Sequence, residues 1–215
     1  MLVINLLEQA QVNELRNKIN EIPFVDGKLT AQGDAKNIKN NQQITQSSSK
    51  EAREFLTGVQ NSLVQNAVFR NYTYFRQFVD IMVNKYGPGE TYGWHYDNHL
   101  IKGQRTDISF TLFLSDPKSY EGGELQLKYP NLIKKIKGKA GQMVIYPTGV
   151  IHQVTPVLSG ERVSIVGWAQ SWVKIFEDRE MLNAFNFQIN NLKIDNDSHA
   201  QLKAIYQYFF RKVSS

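Results

Sequence analysis

The sequence predicts a mainly β protein, with an antiparallel sandwich or barrel at its centre and helices on both sides of it along the chain. Three observations lead to this expectation. Residues 74–172 consist of short runs rich in β-branched and aromatic side chains, with turn residues between the runs. The segments before and after this region carry apolar residues at helical spacing. A length of 215 residues suits one domain with a small extension and allows a substantial core.

The first 70 residues are predicted to be mostly helical. An early helix is indicated by three apolar residues at helical spacing, which are Val12, Leu15 and Ile19. Residues 26–49 are rich in Gly, Asn, Gln and Ser, so a long surface loop is expected there. Ser48 followed by Glu51 is typical of a capping box at the start of a second helix. That helix carries a core-facing stripe, which consists of Ala52, Phe55, Leu56, Val59 and Leu63.

The central region is predicted to contain at least six strands. They cover Phe75–Tyr86 and residues 92–97, 108–114, 124–128, 142–146 and 162–172. The pair Gly122 and Gly123 is interpreted as a hairpin turn. After residue 172 the helical spacing returns in two sets of residues, which are Met181, Leu182, Phe185 and Ile189, and then Leu202, Ile205, Tyr206 and Phe209.

The composition excludes the kinds of site that depend on cysteine, and the sequence favours a cytoplasmic location. Cysteine is absent, which rules out disulfides, thiolate nucleophiles, zinc–thiolate sites and cysteine-bound iron–sulfur clusters. Any metal therefore has to bind to histidine, carboxylate and water. The sequence contains no apolar run of the roughly 20 residues that a membrane span needs, and its start lacks the basic residues of a secretory signal. A cytoplasmic protein without a membrane partner is expected.

The net charge of +5 and the pI near 9.2 raise the question of a nucleic-acid partner. Much of the excess lies in residues 128–139, which include Lys134, Lys135 and Lys137. A small local surplus of this kind is typical of a solvated hairpin. Nucleic acid is therefore not expected as a partner.

Two of the four histidines have neighbours that suggest a metal centre. His95 and Asp97 are two residues apart in a predicted strand, where side chains at this spacing leave the same face. Together with the distant His152 they supply two imidazoles and a carboxylate. This set matches the facial triad of non-heme Fe(II) oxygenases, which leaves coordination positions open for a co-substrate and O₂. Taken singly, a His-x-Asp tripeptide arises by chance, and His152 fits a buried histidine bonded to the backbone.

Arg162 together with these three residues indicates an oxygenase site more specifically than any of the four residues alone. It lies ten residues beyond His152 on the next predicted strand, and its planar guanidinium suits a carboxylate that is held by two hydrogen bonds. It is placed to anchor the far carboxylate of a 2-oxo diacid that chelates iron. Ser164, two residues further on the same strand face, can donate a second hydrogen bond. Tyr86 precedes a Gly-Pro-Gly turn, and both a 2-oxoglutarate contact and core packing are compatible with it.

Several longer segments resemble the PKHD-type hydroxylases, a family of Fe(II)- and 2-oxoglutarate-dependent oxygenases related to the prolyl 4-hydroxylase catalytic domain. They read YGWHYDN at 92–98, RTDISFTLFLSDP at 105–117, YEGGEL at 120–125, YPTGVIHQVTP at 146–156 and GER at 160–162. The similarity extends to FVDG at 24–27, NKYG at 84–87 and DRE at 178–180, and so covers nearly the whole chain. Tyr96 and His99 depart from the family's pattern and are expected to affect the mouth of the pocket.

The resemblance implies a double-stranded β-helix, or jelly roll, with flanking helices. Residues 1–172 would form the dioxygenase domain, with a helical start at 1–72 and the jelly-roll core at 73–172. Residues 173–215 would form a C-terminal helical extension. The family's iron ligands correspond to His95, Asp97 and His152, and its 2-oxoglutarate anchor corresponds to Arg162.

The resemblance also implies a reaction. A substrate C–H bond is hydroxylated with Fe(II), 2-oxoglutarate and O₂, succinate and CO₂ are released, and ascorbate serves as reductant. The prime substrate is not identified by the sequence and is a peptide, a protein or a small molecule. The family's relation to prolyl hydroxylation makes a prolyl residue one candidate.

Two other functions are kept as alternatives. Nucleic-acid demethylases of the same superfamily resemble one another in an Arg-x-Asn-x-Thr-x-Arg pattern, whereas this chain reads RVSIVGW at 162–168. A non-catalytic jelly roll that binds a metal or ligand would not need to keep both the triad and the arginine. His99 is also considered as a ligand, but a fourth protein ligand would close a position that the reaction needs.

Overall fold

The computed structural model describes residues 1–31, 33 and 35–214, and it consists of two packed antiparallel sheets with helices against one of them. The strands, numbered in chain order, are β1 Leu2–Asn5, β2 Val25–Asp26, β3 Lys39–Asn40, β4 Gln42–Thr45, β5 Phe75–Tyr86, β6 Thr91–His95, β7 Leu100–Ile101, β8 Gln104–Arg105, β9 Ile108–Phe113, β10 Tyr120–Gly122, β11 Leu125–Tyr129, β12 Leu132–Ile136, β13 Gln142–Pro147, β14 Ile151–Val154, β15 Val157–Gly160 and β16 Arg162–Ser171. The helices are α1 Gln9–Asn20, α2 Ala35–Ile38, α3 Lys50–Gln65, α4 Ala67–Thr73, α5 Phe176–Asn191 and α6 Asn196–Val213, with a 3₁₀ turn at Gly27–Leu29. The predicted mainly β class with flanking helices is confirmed.

The larger sheet has seven strands in the order β1-β13-β9-β16-β5-β4-β2, and the smaller sheet has five in the order β12-β11-β14-β6-β3. Two short pairs, β10-β15 and β7-β8, complete the β structure of the described residues. Each of the six predicted strands is present, with ends that differ by at most two residues. Strand β14, which carries His152, was not among the predicted strands.

Side chains alternate along each strand, so the two faces of the larger sheet pack against different parts of the protein. The odd-numbered residues Ile81 and Val83 of β5 and Val163 and Ile165 of β16 are buried in the main apolar core, which also contains residues of α1, α3 and α4. The opposite face of this sheet packs against the smaller sheet. Part of that contact is a second apolar cluster, which consists of Phe113, Val144, Tyr146, Leu125 and Leu127.

The prediction of a long loop at residues 26–49 is wrong in part. β4 pairs with β5 inside the larger sheet, and Ile44 is fully buried in the core. β3 pairs with β6 at the edge of the smaller sheet. Polar composition concealed these strands, although the buried Gln43 makes hydrogen bonds within the fold, where its Oε1 accepts from Thr30 and Lys39.

Three smaller predictions about the chain also need correction. The first residues form β1, an edge strand that pairs with β13, and not a helix. The capping residue of α3 is Ser49, whose Oγ accepts a hydrogen bond from the Ala52 amide, and not Ser48. Gly122 and Gly123 do not close a hairpin, because β10 pairs with β15. Both glycines have positive φ, and a Cβ at Gly122 would collide with the Pro156 carbonyl oxygen.

The two predicted C-terminal helices are present as α5 and α6. Arg179 connects α5 to the β core, because its buried guanidinium donates to the carbonyl oxygens of Val173, Lys174 and Asp107. None of the helices in the part of the chain that the structure describes has the length and apolar character needed to span a membrane.

Candidate active site

A cavity of about 390 Å³ lies between the two sheets. One wall is formed by even-numbered residues of β5 and β16 in the larger sheet, among them Asn84, Tyr86 and Arg162. The opposite wall carries His95 of β6 and His152 of β14 from the smaller sheet. Polar side chains from both sheets therefore meet in one cavity, which is the usual arrangement of a small-molecule site.

The structure brings His95, Asp97 and His152 together. β14 pairs with β6 so that His152 lies directly opposite His95, although the two are far apart in sequence. The Asp97 Oδ1 atom lies 3.9 Å from Nε2 of His95 and 3.7 Å from Nε2 of His152. Potential ligand atoms of the three residues all lie within 4.8 Å of one another. This group could hold one metal ion.

Both imidazole rings are oriented by the backbone. Nδ1 of His95 lies 2.7 Å from the Gly93 carbonyl oxygen, and Nδ1 of His152 lies 2.9 Å from that of Val150. A carbonyl oxygen only accepts, so each Nδ1 carries the proton and each Nε2 keeps its lone pair. The two lone pairs are directed towards the Asp97 carboxylate. This Nδ1-protonated tautomer is the one that a metal site requires of both histidines.

Asp97 reaches the centre in a different way from the one predicted. Strand β6 ends at His95, so Asp97 lies beyond the strand and not on its face. Its carboxylate is held by Ser109 of β9, whose Oγ donates to Oδ2 over 2.7 Å. Ser109 Oγ also lies 3.2 Å from Oγ1 of Thr148. These contacts leave Oδ1 facing the two histidines.

The electrostatics of the centre keep His95 neutral. Burial, followed by the nearby His152, lowers the pKa of His95 to about 4. The ring of Tyr92 stacks on His95 with centroids 3.5 Å apart, and burial raises the pKa of this tyrosine. A neutral imidazole next to a carboxylate is able to bind a divalent cation without first losing a proton.

Arg162 lies on the other wall of the cavity and is almost completely buried, with 1% of its surface exposed. Its Nη1 donates to Ser164 Oγ over 2.9 Å, but Nε and Nη2 have no hydrogen-bond partner among the described residues. No carboxylate of those residues lies within ion-pair distance of the guanidinium, which lies between the rings of Tyr86 and Phe113, 5.3 Å from each ring centroid. Burial raises the pKa of Tyr86 to about 12, so its hydroxyl stays protonated and able to donate.

His99, the candidate for a fourth ligand, is exposed on the bend after β6 and lies outside the group of three. Tyr96 lines the cavity and is 69% exposed, as expected for a residue at the pocket mouth. Trp168 also lines the cavity, and its buried Nε1 has no partner among the described residues.

Two residues of the site could not be found from the sequence. Ser109 was one small polar residue in an apolar strand, and only the register of β9 shows that it contacts Asp97. Lys39 was part of the predicted loop, and only the pairing of β3 with β6 places it at the cavity. No sequence signal distinguished this lysine from the others.

Comparison with known proteins agrees with the fold and the donor set. Residues 81–170 match the 2OG-Fe(II) oxygenase superfamily. A PKHD-type hydroxylase of Maricaulis maris is 42% identical over 172 residues, which is 80% of this chain and 78% of the relative. Another, of Prochlorococcus marinus (strain MIT 9303), is 36% identical over 210 residues, which is 97% of this chain and 95% of the relative. The chain therefore belongs to the PKHD-type hydroxylases of this superfamily, a group of oxidoreductases whose family chemistry involves Fe(II), 2-oxoglutarate and O₂.

A solved structure supports the fold. A prolyl hydroxylase of Trichoplax adhaerens, in complex with an oxygen degradation domain peptide of hypoxia inducible factor, superimposes with a TM-score of 0.56. The match covers 84% of this chain and 86% of that one at 21% identity. The predicted jelly-roll core is thereby confirmed.

Proposed function

We propose that this chain is a dioxygenase that uses Fe(II), 2-oxoglutarate and O₂ to hydroxylate a C–H bond of a substrate, with release of succinate and CO₂. In this proposal His95, Asp97 and His152 hold the iron. Their donor set supports it, because two imidazoles and one carboxylate leave about half of an octahedral coordination sphere open. When bound, the iron with its co-substrate and O₂ supplies the oxidant that attacks an unactivated C–H bond.

The unpaired guanidinium of Arg162 is the observation that carries the proposal. An arginine with 1% exposure and two free donor nitrogens is costly to bury unless a ligand supplies a negative charge. The carboxylate of a 2-oxo diacid fits this position, because it can accept two parallel hydrogen bonds from the fork. Ser164 orients the fork through Nη1, and Tyr86 is proposed to donate a further hydrogen bond to the same carboxylate.

The other residues of the site orient groups and exclude water. Ser109 keeps Oδ1 of Asp97 directed towards the metal position by occupying Oδ2. The two backbone carbonyls fix the histidine rings, so the centre is organised before any ligand arrives. The rings of Tyr86 and Phe113 on both sides of Arg162 keep water from competing for its donors.

The rest of the proposal concerns substrate, reductant and organisation. The solved relative with a bound peptide is a prolyl hydroxylase, which supports a prolyl or other peptide residue as a candidate substrate of this chain. Ascorbate is proposed as the reductant that keeps the iron as Fe(II). Residues 1–172 are proposed as the catalytic domain and residues 173–215 as a helical extension. A non-catalytic binding role is disfavoured because the triad and the free guanidinium line one cavity.

Anaerobic Fe(II) titration of the parent and of His152→Ala tests the metal assignment. The variant should bind Fe(II) at least about 100-fold more weakly, because one of three ligands is missing. His199→Ala, a substitution on α6, serves as the control and should bind like the parent. Succinate formation from 2-oxoglutarate in air should follow the same order. Equal Fe(II) affinity in His152→Ala with an intact far-UV spectrum would contradict the proposed centre.

A further inference from the structure

Lys39 is a buried cation in the wall of the candidate active site. It lies on β3 opposite Tyr92 of β6, lines the same cavity as the triad, and is 5% exposed. Its Nζ donates to Oγ1 of Thr30 and to Oε1 of Gln43, each over 3.0 Å. Both acceptors are neutral, and the ammonium has three N–H donors, so one donor is left for a ligand.

No carboxylate of the described residues lies within 4.0 Å of this ammonium. Burial therefore lowers the pKa of Lys39 to about 8, although the more distant charges of Asp97 and Asp26 raise it in part. A group with this pKa is still mostly charged near neutral pH. Asp97 is not available as its counter-ion, because Oδ2 accepts from Ser109 and Oδ1 is directed at the metal position.

The charge balance of the occupied site leaves this lysine without a partner. Fe(II) together with the 2-oxoglutarate dianion is neutral, and the charges of Asp97 and Arg162 cancel. At the rim Asp80 is already paired with Lys102, with 3.2 Å between Oδ2 and Nζ. Asp26 is exposed and makes no ion pair with this lysine. The positive charge of Lys39 therefore remains without a partner, and a buried excess charge favours a ligand that carries the opposite one.

The contacts of Lys39 show where its charge lies relative to the metal position. Its Nζ lies 5.4 Å from the ring centroid of Tyr92, and the same ring stacks on His95. Arg162 lies in the other sheet, on β16, so the two cations are on opposite walls of the cavity. Leu29 and Ala31, which flank Thr30 in the chain, also line the cavity. A ligand here would have an anionic group beside a carbon skeleton close to the metal position.

We infer that Lys39 binds a carboxylate of the prime substrate, so that the enzyme acts on an acidic substrate. A carboxylate fits better than a phosphate monoester, since one excess charge and one free donor match a single negative charge, whereas a phosphate carries about two. The carboxylate belongs either to a free organic acid or to a peptide, and the shared chemistry is the same. This inference rests on the proposed function.

Binding of matched probes to the full-length protein tests it. Calorimetry under anaerobic conditions, with Mn(II) in place of Fe(II) and with saturating 2-oxoglutarate, would compare cyclopentanecarboxylate with the neutral cyclopentanecarboxamide. A second arm would compare the peptide Gly-Pro-Gly with its C-terminal amide. In at least one of the two pairs, the parent protein should bind the acid about tenfold more tightly than the amide, or more tightly still. Preference in the free-acid arm alone indicates a small acid, and preference in the peptide arm alone indicates a peptide.

Lys39→Met should remove this preference to within about twofold, and Lys39→Arg should retain most of it. Lys85→Met is the matched control, because Lys85 is a partly buried lysine of β5 that contacts the Phe24 ring and Glu161 outside the cavity. Absence of a preference in the parent, or its persistence in Lys39→Met, would overturn the inference. So would a loss of 2-oxoglutarate affinity in Lys39→Met, since Lys39 would then contact the co-substrate. Failure of the parent to bind 2-oxoglutarate at all would instead refute the proposed function.

Discussion

Replacing Arg162 tests most directly whether the cavity binds 2-oxoglutarate. The guanidinium is 1% exposed, with one nitrogen bonded to Ser164 and two without partners among the described residues. A co-substrate carboxylate would fill both free positions with charge-assisted hydrogen bonds in a site without competing water. Truncation of one side of such a pair costs about 2–5 kcal/mol. Arg162→Ala should therefore raise the Kd for 2-oxoglutarate by about 30-fold to 5,000-fold.

Two further variants separate charge from geometry. Arg162→Lys keeps the charge but loses the planar fork, so its Kd should lie between those of the parent and Arg162→Ala. Ser164→Ala keeps the fork and removes the bond that orients it, so a smaller loss of about 1 kcal/mol is expected. Fe(II) affinity should stay unchanged in all three variants, because none of these side chains belongs to the triad.

The assay is titration of 2-oxoglutarate into the anaerobic Fe(II) protein, followed by the metal-to-ligand charge-transfer absorption. Thermal unfolding of the ligand-free variants serves as a control for folding. Removal of an unpaired buried charge costs the ligand-free protein less than removal of a paired one, so folded Arg162→Ala is expected. If Arg162→Ala bound 2-oxoglutarate as tightly as the parent, the assignment of the anchor would be wrong.

Three other predictions each concern one side chain. Ser109→Ala frees Oδ2 of Asp97 and should weaken Fe(II) binding by about 10-fold to 100-fold in an anaerobic titration; unchanged affinity would show that Ser109 does not orient the ligand. Phe69→Ala removes a fully buried ring and should lower the free energy of unfolding by about 3–5 kcal/mol in urea, whereas Phe187→Ala, at a ring that is 64% exposed, should change it by less than about 1 kcal/mol. The pKa of Lys39 is lowered from 10.5 to about 8, so the folded metal-free protein loses this proton before the unfolded chain does and gains stability as the pH rises between these values. Relative to Lys39→Met, the parent should gain up to about 3 kcal/mol across this window, and parallel pH profiles of the two proteins would contradict the burial of the charge.

Elements whose apolar side chains repeat with a regular period could be predicted from the sequence alone. The strand Phe75–Tyr86 has the predicted bounds, and α1, α3, α5 and α6 follow the predicted apolar spacing. Periodicity succeeds for β5, α1 and α3 because each of them buries an apolar face in the main core, and burial of that face is the main stabilising contribution. The choice of His95, Asp97, His152 and Arg162 as candidates also came from residue type and spacing, together with the resemblance.

Elements without such a period were decided by tertiary structure. β3 and β4 consist mostly of polar residues, and their strand character comes from pairing with β6 and β5 and not from local preference. β14 is short, and it is aligned by its hydrogen bonds to β6 and β11. Its register decides that His152 faces His95, and a shift of one residue would turn this side chain to the other face of the sheet.

In the candidate active site, too, the sequence predicted the residue types and the tertiary structure decided their arrangement. The sequence supplied the donor atoms, but the strand-face argument for Asp97 failed because β6 ends at His95. What directs this carboxylate is Ser109 on a different strand, a contact that depends on how the two sheets pack. The buried position of Lys39 likewise follows from the pairing of β3 with β6. Contacts between segments distant in the chain leave no local pattern, and for this reason only the folded structure shows which neutral and charged groups surround the metal position.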